Sequence, residues 1–323
     1  MRKFALALVV LIIALISAWI LGPFVLREDD GMADPRSEIH AAELDGKIYV
    51  AGGIGFFRTL DSCAVFDSLE RSFAECPDLP RALHHVALAA GDGRVFASGG
   101  YTSLPFNQDV DGALFALDLA SPGEGWREIA KLPQPLGQHA MVFREGVLWL
   151  IGGESAGTTL ASLWRYDLAS GEWEEHSPMP TPRHSHAIAL TDGKLIVTGG
   201  RSASLGWHSR VVEVYDFAED KWATLPDAPF PLGGHGAAFH DGRLHVFGGE
   251  DLDTAEVFVR HVSIDPNNPQ DGWREEADMP APRHGFAVAQ IGSTVWIIGG
   301  GKRAGWRTPY SVTGTALPLS LAD

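Results

Sequence analysis

The dipeptide Gly-Gly occurs at residues 52/53, 99/100, 152/153, 199/200, 248/249 and 299/300, so one unit of 47 to 53 residues is copied six times along the chain. A unit of this length cannot bury its apolar face alone and must stack on its neighbours. The fourth copy shows what the unit contains: HAIALTDG, KLIVTGG, VVEVYDF and DKWATLPDAP. The first two runs meet at Asp192-Gly193, a tight-hairpin dipeptide, and the second two join through a short acidic turn. Four short strands per copy, lettered a to d in chain order, make a propeller blade. Six blades make an all-β ring, and no repeat reads as a helix. The Gly pair closes strand b, where residues without Cβ allow close approach of a neighbouring backbone.

Further positions recur. Strand c places an aromatic before Asp (Phe66-Asp67, Tyr166-Asp167, Tyr215-Asp216), and strand d carries Trp126, Trp173, Trp222 and Trp273, with Phe73 in the first copy. Leu-Pro or Met-Pro follows at 79/80, 132/133, 179/180, 225/226 and 279/280. Together with the Gly pairs these residues resemble the kelch repeat, over roughly residues 24 to 318. The resemblance implies a six-bladed kelch β-propeller. The Trp side chains are expected as core between blades, since an indole supplies a large apolar area.

The ends of the chain suggest how the ring closes. After Gly300 only 23 residues remain, enough for a strand c over Tyr310 to Ala316 but not for strand d. Leu26 to Arg36 aligns without a gap with Trp273 to Arg283, so the N-terminal segment is expected to complete the sixth blade. One propeller then occupies residues 24–323 behind a leader of residues 1–23. An apolar fraction of 45% suffices for its core, and a formal net charge of −16 argues against a nucleic-acid partner.

In the leader, Met1-Arg-Lys precedes Phe4 to Leu21, 18 residues in which only Ser17 is polar. As a helix this run would be about 27 Å long, near the thickness of a bilayer core. No Ala-x-Ala cleavage pattern follows it, so a retained signal anchor is expected, with a cleaved signal peptide as the alternative. Arg2 and Lys3 would stay in the cytoplasm, which predicts a bacterial inner-membrane protein with a single-pass anchor and a periplasmic propeller. Cleavage would give a secreted or periplasmic propeller instead. The cysteines suit that compartment. Cys63 and Cys76 flank the same hairpin as Phe66 and Phe73, equidistant from its centre, so a regular register opposes them and predicts a disulfide.

In such a blade the d–a segments and the b–c loops share one face around the central opening. The sequence places Arg36, Arg81, Arg183 and Arg283 on the d–a segments, with Leu136 and Leu232 in blades three and five, followed three or four residues later by His40, His84 or His85, His139, His186, His235 and Phe286. The b–c loops add Arg58, Tyr101, Glu154, Arg201, Trp207, Arg210, Glu250, Lys302, Arg303, Trp306 and Arg307. Arg forks onto carboxylates and aromatic faces stack on flat groups. The expected ligand-binding set is therefore Arg36, Arg58, Arg81, His85, Tyr101, His139, Arg183, His186, Arg201, Trp207, His235, Arg283 and Arg303. The expected partner is an anionic small molecule, a glycan or an acidic peptide segment. A histidine at this position belongs to the repeated pattern of many kelch proteins, so the resemblance implies a structural role, and neither metal nor cofactor is expected.

Enzyme and binding module both stay open. The chain also resembles the bacterial N-acetylneuraminate epimerases, exported six-bladed kelch proteins, which implies a sugar epimerase or mutarotase as the alternative. Glu154, Glu250, His186 and His235 would then move protons, and Arg201 with Arg183 would clamp the carboxylate. A copper radical oxidase of the galactose oxidase kind is excluded, because both cysteines lie in the outer strands of one blade and only five tyrosines exist. Gly-Gly-Ile-Gly at 52–55 opens no helix and is no phosphate loop.

Overall fold

Strand b is buried over its last four residues in all six copies of the repeat, which fixes it inside each blade and leaves strand d outermost. In Lys194–Thr198 only the first residue is exposed, whereas Lys221–Leu225 has no buried residue. The computed structural model describes residues 31–104, 109–202 and 208–321.

Blade one comprises Ala42–Leu44, Lys47–Ala51, Cys63–Asp67 and Ser72–Cys76. Blade two follows with Ala87–Gly91, Arg94–Ser98, Ala113–Asp118 and Arg127–Lys131. Blade three is Ala140–Arg144, Val147–Ile151, Leu163–Asp167 and Glu172–His176. Blade four is Ala187–Leu190, Lys194–Thr198, Val212–Asp216 and Lys221–Leu225. Blade five is Gly236–His240, Arg243–Phe247, His261–Ile264 and Arg274–Glu275. Each is an antiparallel meander in the order a-b-c-d. In blades three and five the b–c loop also forms a two-residue ribbon, Glu154–Ser155 with Thr158–Thr159 and Glu250–Asp251 with Glu256–Val257.

Blade six has three strands among the described residues: Ala287–Ile291, Thr294–Ile298 and Ala316–Ser320. Its strand c starts at Ala316, not at Tyr310 as the sequence suggested. The b–c loop is longer here, and Gly305–Tyr310 winds into a 3-10 turn before Thr313 and Thr315 restore the pattern of the other blades. Met32 N and Arg36 N donate to Gly314 O at 2.9 Å and Thr313 O at 3.2 Å. Met179 N and Arg183 N make the same bonds to Ala161 O and Leu160 O in blade three. The N-terminal segment therefore occupies the d–a position of blade six, while the expected strand itself lies outside the described residues.

The ring is closed by a shared core. Ile48, Val50 and Phe66 of blade one pack with Ala289, Trp296 and Ile298 of blade six, and the Phe66 and Trp296 rings lie 4.8 Å apart. Elsewhere the strand-d indoles tie blade to blade. Trp126, Trp222 and Trp273 donate to Pro77 O, Ser177 O and Pro226 O of the preceding blade, at 2.7, 2.7 and 3.2 Å. Such bonds satisfy the polar edge of a large apolar ring. Cys63 and Cys76 are directly opposed in the hairpin register and joined in a disulfide, with Cα atoms 5.1 Å apart. Among the described residues no helix is long and apolar enough to cross a membrane. The apolar run at 4–21 lies outside them.

Candidate functional site

Each d–a segment enters the ring at one recurring position, four residues after Met32, Leu79, Leu132, Met179, Ala228 and Met279. The occupants are Arg36, Leu83, Leu136, Arg183, Leu232 and Arg283, and all six are buried. The arginines are spent on the scaffold. Arg36 Nη1 donates to Gly52 O and Ser62 O at 2.9 and 2.6 Å, and Arg183 Nη1 donates to Gly199 O and Val211 O at 3.1 and 2.8 Å. Arg183 also pairs with Glu213, which is itself buried. Burial pushes the Arg36 guanidinium down to about 10 against the pull of Asp34. Arg283 donates to Pro282 O at 2.8 Å and Thr315 Oγ1 at 3.4 Å. These three side chains thus lie inside the wall rather than on the ligand face. Arg81 is not their equivalent. Leu83 holds that position, and Arg81 turns outward to Asp111 at 2.6 Å.

Three residues further on come Ile39, Val86, His139, His186, His235 and Phe286, each packed on the first glycine of the preceding Gly-Gly. An added Cβ at Gly99 would sit 2.1 Å from Leu136 O, so the signature glycine makes room for the incoming segment. The six occupants show that the position requires a wedge of middling size. His40, His84 and His85 lie beside it, not in it. Burial pushes His139 and His235 down to about 3, and burial followed by the Arg183 charge holds His186 well below the usual range. His139 and His235 each keep one hydrogen bond, to Ser98 Oγ at 2.8 Å and Thr198 Oγ1 at 2.7 Å; neither nitrogen of His186 has one. Neutral, buried rings are poor candidates for proton transfer to a ligand on the face.

Between these two positions runs a collar around the channel mouth. Glu38, His85, Gln138, Ser185, Gly234 and Gly285 all adopt left-handed backbone, with φ between 51° and 59°. Their backbones link around the ring: His85 N donates to Glu38 O, Ser185 N to Gln138 O and Gly285 N to Gly234 O, at 3.1, 3.0 and 2.8 Å. Below the collar lies an axial cavity of about 170 Å³, lined mainly by small and aliphatic residues such as Ala140, Ala187 and Ile188. The mouth is lopsided, because four collar positions carry polar side chains and two are glycine. At Gly285 the Glu38 carboxylate fills the space a side chain would take, since a Cβ there would lie 2.6 Å from Glu38 Oε1.

Charge at the mouth is internally matched. Arg201 passes over Gly233 to reach Glu250 at 2.5 Å, and Glu250 also accepts from Gly305 N at 3.0 Å. His284 Nδ1 lies 3.4 Å from Glu250 and 3.8 Å from Glu38, and His85 Nε2 lies 3.0 Å from Glu38. Burial raises the Glu38 carboxyl, but His85, then His284 and Arg201, outweigh it and hold the group far below the usual range. Tyr101 is fully buried, and burial with Glu154 nearby pushes its phenol up. The sequence-predicted clamp and acids are therefore not free together. Arg183 and Arg201 are each bonded to a glutamate, Glu250 is one of those glutamates, and Glu154 stands on a separate ribbon. Trp207 lies outside the described residues.

The open chemistry lies at the rim, where the b–c loops of blades six and one meet. Trp306, Phe57 and Phe56 are 75%, 52% and 39% exposed. Their rings gather on Tyr310, with centroids 6.3, 4.7 and 6.1 Å away, all edge-on. Arg307 lies over Trp306 at 5.4 Å. Beside them is a groove of about 570 Å³ lined by Phe56, Arg58, Lys302, Arg303 and Tyr310. Arg58 is paired with Asp34 at 2.5 Å, but among the described residues no carboxylate lies within ion-pair distance of Lys302, Arg303 or Arg307. Of this cluster the sequence singled out Arg58, Arg303 and the basic loop. It missed Phe56, Phe57 and Tyr310, whose aromatic character in loops was the available signal. Glu38, Gln138 and Ser185 were missed too, although Gly234 and Gly285 at the equivalent positions hinted at positive φ.

Comparison with known proteins agrees with this architecture. A KLHDC2/KLHL20/DRC7 kelch-repeats domain profile matches residues 41–249. Kelch-like protein 33 of Homo sapiens is 34% identical over 133 residues, which are 39% of this chain and 24% of that protein. Beta-scruin of Limulus polyphemus is 26% identical over 131 residues, 38% of this chain and 14% of that protein. The chain thus spans about a quarter or less of the length of these relatives. Among solved structures, YjhT superposes with a TM-score of 0.74 at 13% identity, covering 90% of this chain and 96% of that one, a likeness of fold.

Proposed function

This chain belongs to the kelch-repeat family, whose domains generally mediate protein interactions, and on that premise we propose that it binds an acidic partner segment in the rim groove between blades six and one. The observation that carries this reading is the coincidence of exposed aromatics with three cations that meet no carboxylate among the described residues, in a chain of net charge −16. Trp and Tyr beside Arg are the residue types that dominate binding hot spots, and cations without a carboxylate partner select an anionic one. The test is fluorescence anisotropy with a glutamate-rich peptide bearing one central Leu, against the same peptide with Gln for Glu. The acidic peptide should bind at least about tenfold tighter, and Arg303→Glu or Trp306→Ala should each weaken it by a similar factor. Equal binding of both peptides, or indifference to both substitutions, overturns the proposal. Capture of an oligogalacturonate but no peptide would assign the groove to an anionic glycan instead.

The sugar-epimerase alternative is the weaker reading, because Arg183, Arg201, Glu250 and His235 are bonded within the scaffold or to one another and His186 is a buried neutral ring. Exchange of N-acetylneuraminate anomers, followed by NMR, should run at the buffer rate. For location, we propose an exported propeller tethered through residues 4–21. The apolar run and the disulfide support this, since such bonds persist in oxidising compartments.

A further inference from the structure

Three hydrogen bonds run in series from blade two to the channel mouth. His84 Nε2 lies 2.9 Å from Ser103 O, His84 Nδ1 lies 2.7 Å from His85 Nδ1, and His85 Nε2 lies 3.0 Å from Glu38 Oε2. Each needs a proton between its two atoms. A carbonyl cannot donate, so His84 Nε2 carries the first. Glu38 is an ionised acceptor, so His85 Nε2 carries the last. The Nδ1 to Nδ1 contact needs one more, and two neutral imidazoles hold only two protons between them. We propose that His84 and His85 share one excess proton, balanced by Glu38, and that this proton acts as a latch on the channel mouth.

Burial, together with the neighbouring His85 charge, pushes His84 down to about 4, which disfavours holding the excess proton on His84 alone. Loss of that proton leaves two lone pairs facing each other 2.7 Å apart, an arrangement that cannot persist. His85 is the ring that must move. His84 is fully buried and packed on the Tyr101 ring at 5.4 Å, whereas His85 sits on the collar and lines the cavity. The other titratable and charged groups facing the pair and Glu38 are His40, His184, His284, Arg201 and Tyr101. Among these groups and Glu38, only the Glu38 carboxylate is anionic near neutral pH, so it is the natural counter-charge. With the proton, His85 is held across the mouth to blade one; without it, blades one and two lose their side-chain link at the collar.

Imidazole nitrogen NMR of the intact chain tests this directly. Near pH 6 to 7 the pair should show three N–H protons. Their loss should be a single event, with the methyl groups of Ala140 and Ala187 in the channel shifting at the same midpoint. Glu38→Gln should lower the proton affinity of the pair about tenfold or more, because the acceptor stays but the counter-charge goes. In His84→Phe the channel methyls should not move over the same pH range. Two N–H protons throughout the folded range, or channel methyls blind to the titration of the pair, would overturn the latch.

Discussion

At the residue scale, His186 has the clearest consequence. Its neutral ring is buried without a hydrogen bond at a position that blade six fills with Phe286. The folded chain keeps it well below 6.5, whereas the unfolded chain titrates near that value, so unfolding takes up a proton at lower pH. Stability is therefore complete above about pH 6.5 and falls as pH drops below it, by up to about 1.4 kcal/mol per pH unit for each such ring. His139 and His235, held at about 3, add to the same slope. His186→Phe should match the parent at pH 7 and gain roughly 1–2 kcal/mol over it at pH 5, read from urea melts at both pH values. An unchanged difference between the two would refute the assignment. A second test concerns Arg183 and Glu213. Arg183→Leu copies what blades two, three and five contain, yet it strands a buried carboxylate and should cost about 3–5 kcal/mol, most of which Glu213→Ala in the same chain should restore. Counting from the Leu-Pro site would have aligned Leu83, not Arg81, with Arg36. What no count could supply was burial, because a guanidinium that turns inward to glycine carbonyls and one that reaches solvent are the same letter in a sequence.

Elements were more legible than side chains, because a blade repeats its hairpins and hairpin register follows from the turn. The Cys63–Cys76 pairing is the sharpest case: once Phe66 faces Phe73, strand alternation leaves the cysteines opposed. The bond closes a short loop, so Cys63→Ser with Cys76→Ser should lower stability by roughly 2–3 kcal/mol while the Phe66–Phe73 contact keeps the hairpin. Identical urea midpoints with and without reductant would show that the bond contributes nothing. Strand c of blade six was misplaced for the opposite reason. Its position depends on loop length, and the turn at Gly305–Tyr310 carries no repeat signal. The same irregular loop supplies Tyr310 to the rim groove and Trp306 beside it. The least repetitive elements therefore hold the open chemistry, which is why the site was harder to read than the ring.

For the whole molecule, the decisive question is what joins the last blade to the first. Two devices do so among the described residues: the shared core around Phe66 and Trp296, and the segment Met32–Arg36, hydrogen-bonded to blade six while Arg36 reaches into blade one. Met32 is itself part of the shared core. Because blades touch only their neighbours, cutting this join turns a closed ring into an open stack with two exposed ends. A chain starting at Ser37 loses both backbone bonds to blade six, the Arg36 anchor and the buried Met32 side chain. It should melt roughly 10 °C below a chain starting at Pro23, with the loss of hydrogen-exchange protection concentrated in blades six and one. A chain starting at Gly31 should fall between them, since it keeps the d–a segment but lacks the residues aligned with Trp273 to Ala277. Three coincident melts would show that the ring closes through the core alone, and a chain starting at Gly31 that matches the full one would remove the N-terminal strand from the sixth blade.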